Sequence, residues 1–384
     1  MSGQRSRTMA IRVDASLVIG LGHIMRCLTL ANALTEQGFE SVFFARVMIE
    51  DMKRKLGEAG HRLVMLPEGG PQPGPTPYGS WLGTTEEHDA EVLGGHMKAL
   101  QPQIIVVDHY ALGIAWERAM RSSTDQSPLI LAFDDLSRPH DCDIVLDATL
   151  GRSPDDYADL VPDHCRVLTG PRHALLRPDF AAERPASLRR RDEAFAAGTS
   201  VQALLIFMGG ADGENCTGWT LRGLCELPLS PDVELHVVTG PAYPHQDGLM
   251  RYAEQSGRSI TLHRNVSDMA ALMSGMDLVL GAAGSSSWER CCLGVPAINL
   301  VLADNQKEAA QALSRTGACV DGGVYEPRND PRGWAEAKVA PLLKPAATHP
   351  ISLAAREVTD GNGAARVMDV VLSHASRPML EAAP

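Results

Sequence analysis

Short, unbroken apolar runs recur along this chain, each closed by polar or glycine residues and followed by a stretch of helical spacing. Ile104–Val107 runs into Asp108-His109-Tyr110, and Leu129–Phe133 into Asp134-Asp135. Ala203–Phe207 runs into Met208-Gly209-Gly210, and Leu278–Leu280 into Gly281. A run that is apolar at every position suits a strand buried on both faces, as in a parallel sheet covered by helices. Parallel strands need crossover connections, and ligands of such open sheets bind at the carboxyl ends of the strands. The alternation begins at Met9 and restarts after about residue 200. The expected architecture is therefore α/β, with two doubly wound Rossmann-like domains facing a cleft. Residues 9–180 form the first domain and 201–370 the second. The alanine- and arginine-rich stretch 181–200 reads as a linker, and 371–384 as a tail.

The first glycine turn is Ile19-Gly20-Leu21-Gly22-His23-Ile24-Met25-Arg26, between the strand pattern Met9–Val13 and the helix pattern Cys27–Leu34. Glycines there let the backbone turn tightly and approach a ligand. A helix start suits an anion and disfavours a protonated imidazole, so His23 tends toward the proton-accepting form. Ile24, Cys27, Leu28, Ala31 and Leu34 are spaced to bury one helix face, with His23 and Arg26 beside that stripe. By themselves, Gly20 and Gly22 read equally well as plain turn residues and His23 as a helix-start residue with no chemistry. The strand-end carboxylates Asp135 and Asp147 serve as well for helix caps as for chemistry, the cluster Asp108–Tyr110 less so.

The second turn, Gly281-Ala282-Ala283-Gly284-Ser285-Ser286-Ser287-Trp288-Glu289, again follows a strand and opens a helix. Gly284 with Ser285, Ser286 and Ser287 can cradle a diphosphate on backbone amides and hydroxyls. Glu289, one turn further on, can accept the two hydroxyls of a ribose. Asn305 and Gln306, beyond the strand pattern Ala297–Leu302, suit sugar hydroxyls or acetamido groups. Gly209 and Gly210 form a third approachable turn. Arg172 and Arg177, close to the Gly170-Pro171 turn, read as anion contacts or as solvated charges.

Composition narrows the partners. The 384 residues carry a formal net charge of −12, which disfavours nucleic acid and anionic membrane surfaces. The eight cysteines form no C-x-x-C pair and most sit in apolar runs, as expected of reduced thiols in a cytoplasmic protein. No apolar run is long enough to span a membrane, and the polar, basic start Met1–Thr8 lacks the apolar core of a secretory signal. No P-loop occurs, and Met25 stands where a G-x-G-x-x-G pattern needs its last glycine. No metal and no cofactor is expected.

Arg12-Val13-Asp14-Ala15-Ser16, Gly20-x-Gly22-His23-x-Met25-Arg26-Cys27, Asp108-His109-Tyr110, Asp134-Asp135-Leu136, Gly170-Pro171-Arg172 and Gly281–Pro296 together resemble the UDP-sugar hydrolases of pseudaminic acid biosynthesis. The resemblance runs from about Ile11 to Gln306. It departs at Ala148-Thr149, where Gln-Asn is expected, and at Val13, where alanine is usual. It implies the glycosyltransferase-B architecture and the hydrolysis of UDP-2,4-diacetamido-2,4,6-trideoxy-β-L-altropyranose. It also implies that His23 is the catalytic residue and that Glu289 contacts UDP. Asp14, Gly20, Gly22, Arg26, Tyr110 and Arg172 would face substrate, together with the second-half residues named above. The implied partners are a UDP-activated amino sugar and water, with no nucleic acid and no stable membrane association. The alternatives are a glycosyltransferase of the same architecture and a non-catalytic nucleotide-sugar binding protein.

Overall fold

The computed structural model describes residues 7–72, 78–240 and 243–375. Its contacts divide the chain into two compact units. One comprises Met1–Ile19, His23–Leu175 and Gly363–Pro384, and the other Gly20–Gly22 and Leu176–Asn362.

The first unit alternates β1 (Arg7–Val13), α1 (Gly22–Thr35), β2 (Phe39–Ala45), α2 (Glu50–Glu58), β3 (Arg62–Met65), α3 (Gly79–Leu82), α4 (Glu86–Leu100), β4 (Ile104–Asp108), α5 (Ile114–Ser122), β5 (Leu129–Phe133), β6 (Ile144–Asp147) and β7 (Arg166–Thr169). The strands form one seven-stranded sheet in the order β3-β2-β1-β4-β5-β6-β7, parallel throughout. Every residue of β4 and β6 is buried, as an unbroken apolar run requires. In α1 the stripe Ile24, Cys27, Leu28, Ala31 and Leu34 is at most 5% exposed. On the sheet's other face Leu93 and Met97 of α4 and Trp116 and Met120 of α5 close over Ile105, Val107 and Ile130.

The second unit opens with α6 (Pro178–Ala196). It continues through β8 (Ala203–Phe207), α7 (Cys216–Glu226), β9 (Glu234–Thr239), α8 (Gln246–Gln255), β10 (Ile260–Arg264), α9 (Met269–Ser274), β11 (Leu278–Ala282), α10 (Ser286–Cys292), β12 (Ala297–Val301), α11 (Lys307–Arg315), β13 (Val320–Val324), α12 (Pro331–Lys338) and α13 (Pro345–Arg356). Its parallel sheet runs β10-β9-β8-β11-β12-β13. The last helix, α14 (Gly363–Ala375), groups with the first unit.

Two boundaries differ from the sequence reading. The stretch read as a linker is helix α6 up to Ala196 and belongs to the second unit. Arg184 donates to the carbonyls of Cys292, Thr359 and Arg356, Ser187 donates to that of Leu293, and Arg191 donates to those of Leu293, Met276 and Ser274. The span 201–370 includes the start of α14, which packs with the turn Pro171–His173 of the first unit. Of the polar, basic start Met1–Thr8, residues 1–6 lie outside the described residues, as do 376–384 of the tail.

Candidate active site

In both sheets the chain reverses direction of winding at one pair of strands, and an open sheet binds ligand in the crevice there. In the first sheet the pair is β1 and β4, and in the second it is β8 and β11. Apart from Asp147 at the end of β6 and the Gly170–Arg172 turn after β7, the candidate stretches sit at the carboxyl end of one of those strands or of a neighbour.

In the first unit, pairing of β1 with β4 sets Val13 against Asp108. That register brings the start of α1 beside the end of β4, although the residues are far apart in sequence. His23 Nδ1 lies 2.6 Å from Asp108 Oδ1. The other face of the same carboxylate is gripped by Arg26, with Nε at 2.6 Å from Oδ2 and Nη2 at 2.7 Å from Oδ1. Arg26 then reaches Asp135 at the end of β5, at 2.8 and 3.0 Å, and the Tyr110 hydroxyl donates to the same carboxylate at 2.7 Å. Burial alone would raise the Asp108 carboxyl, but the Arg26 guanidinium and His23 outweigh it and hold the carboxyl well below its ordinary range. An ionised carboxylate only accepts, so the proton of a neutral His23 ring stands on Nδ1 and the lone pair on Nε2. Among the described residues no group bonds Nε2. His23 is 7% exposed, with Tyr110 edge-on at 4.8 Å between ring centroids.

Two expected contacts of the first unit lie elsewhere. Asp14 is fully buried and spoken for. Its Oδ1 accepts the backbone amides of Arg46 and Val47 at 2.7 and 3.0 Å, and its Oδ2 lies 2.9 Å from Arg12. It pins the β1 and β2 ends together and offers no oxygen to a ligand. Arg172 follows β7, four strands from β1. At about 4.8 Å per strand this is about 19 Å from the end of β1, so the sheet does not bring it to His23. Arg172 is exposed, and its carbonyl accepts from Arg366 at 2.9 Å. Gly20 turns the loop before α1 with φ at +82°, a conformation that glycine adopts without strain. Gly22 is the first residue of α1.

In the second unit, Gly284, Ser285 and Ser286 are accessible at the end of β11, and α10 starts at Ser286. Ser287 is not available. It is 1% exposed, and its Oγ accepts from Arg290 at 2.9 Å and from Asn299 at 3.3 Å. Arg290 is the buried pin of this turn, donating also to the Ala282 carbonyl, Asn299 and the Ser286 hydroxyl. A Cβ on Gly281 would lie 2.5 Å from Arg290 Nη1, so the glycine makes room for that guanidinium. Gln306 is placed beside the turn, its Nε2 3.7 Å from where a Cβ on Gly284 would stand. Its Oε1 is held by the Leu302 amide at 2.9 Å. Asn305 shares the same single helical turn, Asp304–Gln306. Gly209, with φ at +92°, and Gly210 form the turn after β8, and Gly240 passes so close to the Gly210 carbonyl that a side chain there would collide with it.

Glu289 is half-buried, and burial raises its carboxyl above the ordinary glutamate value against the pull of Arg177 and Arg290. Arg177 Nη2 stands 4.0 Å from Glu289 Oε1, and its guanidinium lies over the Phe180 ring. Of the two arginines near the Gly170-Pro171 turn, Arg177 is thus the one at the second unit's candidate pocket. Sequence reading weighed both arginines as anion contacts but passed over Asp108 as the partner of His23. The apolar run ending in Asp108 carried the signal for that carboxylate, but its partner depended on which strand lies beside β1.

Burial also raises the thiols. Cys291 and Cys319 are pushed up to about 12 and Cys292 to about 11, which leaves them protonated and unreactive. All eight cysteines are free. No helix among the described residues is long and apolar enough to cross a membrane.

No family model matches the chain. It is 26% identical over 306 residues to the UDP-2,4-diacetamido-2,4,6-trideoxy-beta-L-altropyranose hydrolase of Campylobacter jejuni, covering 80% of this chain and 96% of that one. It is 23% identical over 369 residues to the spore coat polysaccharide biosynthesis protein SpsG of Bacillus subtilis, covering 94% and 97%. It is 25% identical over 307 residues to an uncharacterized protein of Methanocaldococcus jannaschii, covering 78% of this chain and 57% of that longer relative. Among solved structures, MurG of Acinetobacter baumannii superposes with a TM-score of 0.66 at 15% identity, covering 96% of this chain and 99% of that one. UGT2 of Phytolacca americana, complexed with UDP-2fluoro-glucose and pterostilbene, superposes with a TM-score of 0.66 at 12% identity, covering 97% and 100%. The fold is that of the glycosyltransferase-B class. The Campylobacter and Bacillus proteins match over nearly their whole length.

Proposed function

We propose that this protein hydrolyses a UDP-linked diacetamido-trideoxy sugar to UDP and the free sugar, with His23 as general base. The observation that carries the reading is the short His23–Asp108 contact. It fixes the ring and leaves Nε2 as the acceptor. In the proposed step a water oxygen bonds to the anomeric carbon and passes its proton to Nε2. The bond from that carbon to the phosphate oxygen breaks, and its electron pair leaves with UDP. One displacement gives inversion at the anomeric carbon. UDP is a good leaving group, so the step needs no protein acid on that side. General-base help of this kind contributes about 10²–10⁴-fold.

In the second unit, the turn Gly284–Ser286 at the start of α10 holds the diphosphate, and Glu289 accepts the ribose hydroxyls. The similarity to the Campylobacter hydrolase supports a UDP-sugar as the substrate. A diacetamido sugar is supported by that similarity and by the amide side chains Asn305 and Gln306 near Gly284.

The test is UDP release from the purified protein with the nucleotide sugar and no acceptor. His23→Leu is expected to abolish release while UDP still binds. Glu289→Ala is expected to weaken UDP binding with the anomeric step retained at saturation. Turnover by His23→Leu at the parent rate would overturn the assignment. The likeness to glycosyltransferases favours a second reading, in which the same base deprotonates an acceptor hydroxyl. UDP release that depends on an added acceptor would decide for that reading.

A further inference from the structure

The hydrolytic step leaves one side chain next to His23 without a role. Trp81, on the short helix α3, stacks on Tyr110 with ring centroids 5.6 Å apart and planes inclined by 30°. Tyr78 meets both rings edge-on, at 4.8 Å from Trp81 and 5.0 Å from Tyr110. His23 stands edge-on to Tyr110 at 4.8 Å and to Trp81 at 6.3 Å. Tyr110 is buried and tied to Asp135, whereas Trp81 and Tyr78 keep part of their surface in solvent. The indole N–H groups of Trp116, Trp219 and Trp334 are each donated to a protein acceptor, at 2.8–3.0 Å. That of Trp81 meets no acceptor among the described residues. The surroundings of the imidazole are therefore aromatic on the side of Tyr110 and Trp81, and ionic on the side of Asp108 and Arg26.

We propose that Trp81, braced by Tyr78 and Tyr110, is the wall on which the methyl-bearing face of the sugar packs, and that it selects a 6-deoxy sugar over a 6-hydroxy one. The inference rests on the UDP-sugar reading above. A ring face covers ring C–H groups and a methyl group well. A 6-hydroxyl pressed against the same face would lose its water without gaining a partner. The spare indole N–H is a donor suited to an acetamido carbonyl. Apolar selection at one methyl-sized position is worth about 10–200-fold in kcat/KM.

Two measurements test it. The first compares kcat/KM for UDP release from the 6-deoxy diacetamido sugar and from its 6-hydroxy counterpart, in the parent, Trp81→Ala and Trp81→Phe. Trp81→Ala is expected to lose about 10–200-fold on the 6-deoxy substrate, mostly through KM, and to discriminate less between the two sugars. Trp81→Phe should keep most of the selectivity, and inhibition by UDP should be unchanged in both variants. The second measurement is saturation-transfer NMR with the free 6-deoxy diacetamido sugar. Its methyl protons should receive saturation from the parent and lose it with Trp81→Ala. Unaltered discrimination in Trp81→Ala, or equal methyl saturation in parent and variant, would overturn the wall. Trp81-dependent methyl saturation in a parent that releases no UDP would sustain the wall and sink the hydrolase reading.

Discussion

In the proposed step, His23 depends on a carboxylate that has two partners. Asp108 fixes the ring proton and also neutralises Arg26, so it cannot be swapped for an amide without disturbing both. Asp108→Asn is expected to lower kcat about 10²–10⁴-fold, because the ring can then turn and present the wrong nitrogen. UDP affinity, measured by titration calorimetry, should stay within a few-fold of the parent. A parallel loss of UDP binding would mean that Asp108 supports the fold rather than the base. Placement was legible in the sequence where type and neighbours sufficed: His23 beside a glycine turn at the start of a helix, Glu289 in the first turn of another. It was illegible where direction decided. Asp14 and Ser287 have the right chemistry for ligand contact, but Arg12 and Arg290 claim their oxygens from inside the core. Arg177 and Arg172 lie five positions apart, yet Arg172 stands in the turn after β7 and Arg177 caps the start of α6, 4.0 Å from Glu289.

At the scale of elements, the strands were readable because runs such as Ile104–Asp108 are apolar at every position, which only a doubly covered strand tolerates. Helix α1 was readable from its stripe. Helix α6 was not, because it is fastened by polar groups rather than by a large apolar face. Its buried residues are Phe180, Ser187 and Arg191, and two of the three donate hydrogen bonds to carbonyls at other helices' ends. A hydrophobic pattern has nothing to report there. The turn at the end of β11 has its own test. A side chain on Gly281 would press on Arg290 and on the Phe207 carbonyl, at 2.5 and 2.9 Å. Gly281→Ala is therefore expected to cost about 1–3 kcal/mol in denaturant unfolding and to weaken UDP binding, as the guanidinium leaves Ser287 and Asn299.

At the scale of the whole molecule, stability on the alkaline side depends on a buried histidine away from the candidate site. His140 lies 2.6 Å from Glu117 and 3.7 Å from Asp134. Burial opposes its charge, but the two carboxylates prevail and raise it to about 9. A histidine raised on folding stabilises the native state fully below its unfolded value and loses that contribution as pH climbs through about 9. Stability of the parent should therefore fall between pH 6.5 and 9.5, by an amount on the order of 2–3 kcal/mol. His140→Gln, less stable at pH 6, should show a flatter slope over that interval when melting temperature is followed against pH. Equal slopes would remove His140 from the account.

Helix α6 also carries Arg189-Arg190-Arg191, three consecutive cleavage sites for trypsin. A protease needs several residues of extended chain in its groove, and this segment is wound into helix and anchored by the guanidinium groups of Arg190 and Arg191 to neighbouring carbonyls. Brief digestion of the native protein should leave these bonds intact while nicking elsewhere. Fragments cut at Arg189–Arg191 within the first minutes would show that the segment unwinds freely and behaves as the tether its composition suggested.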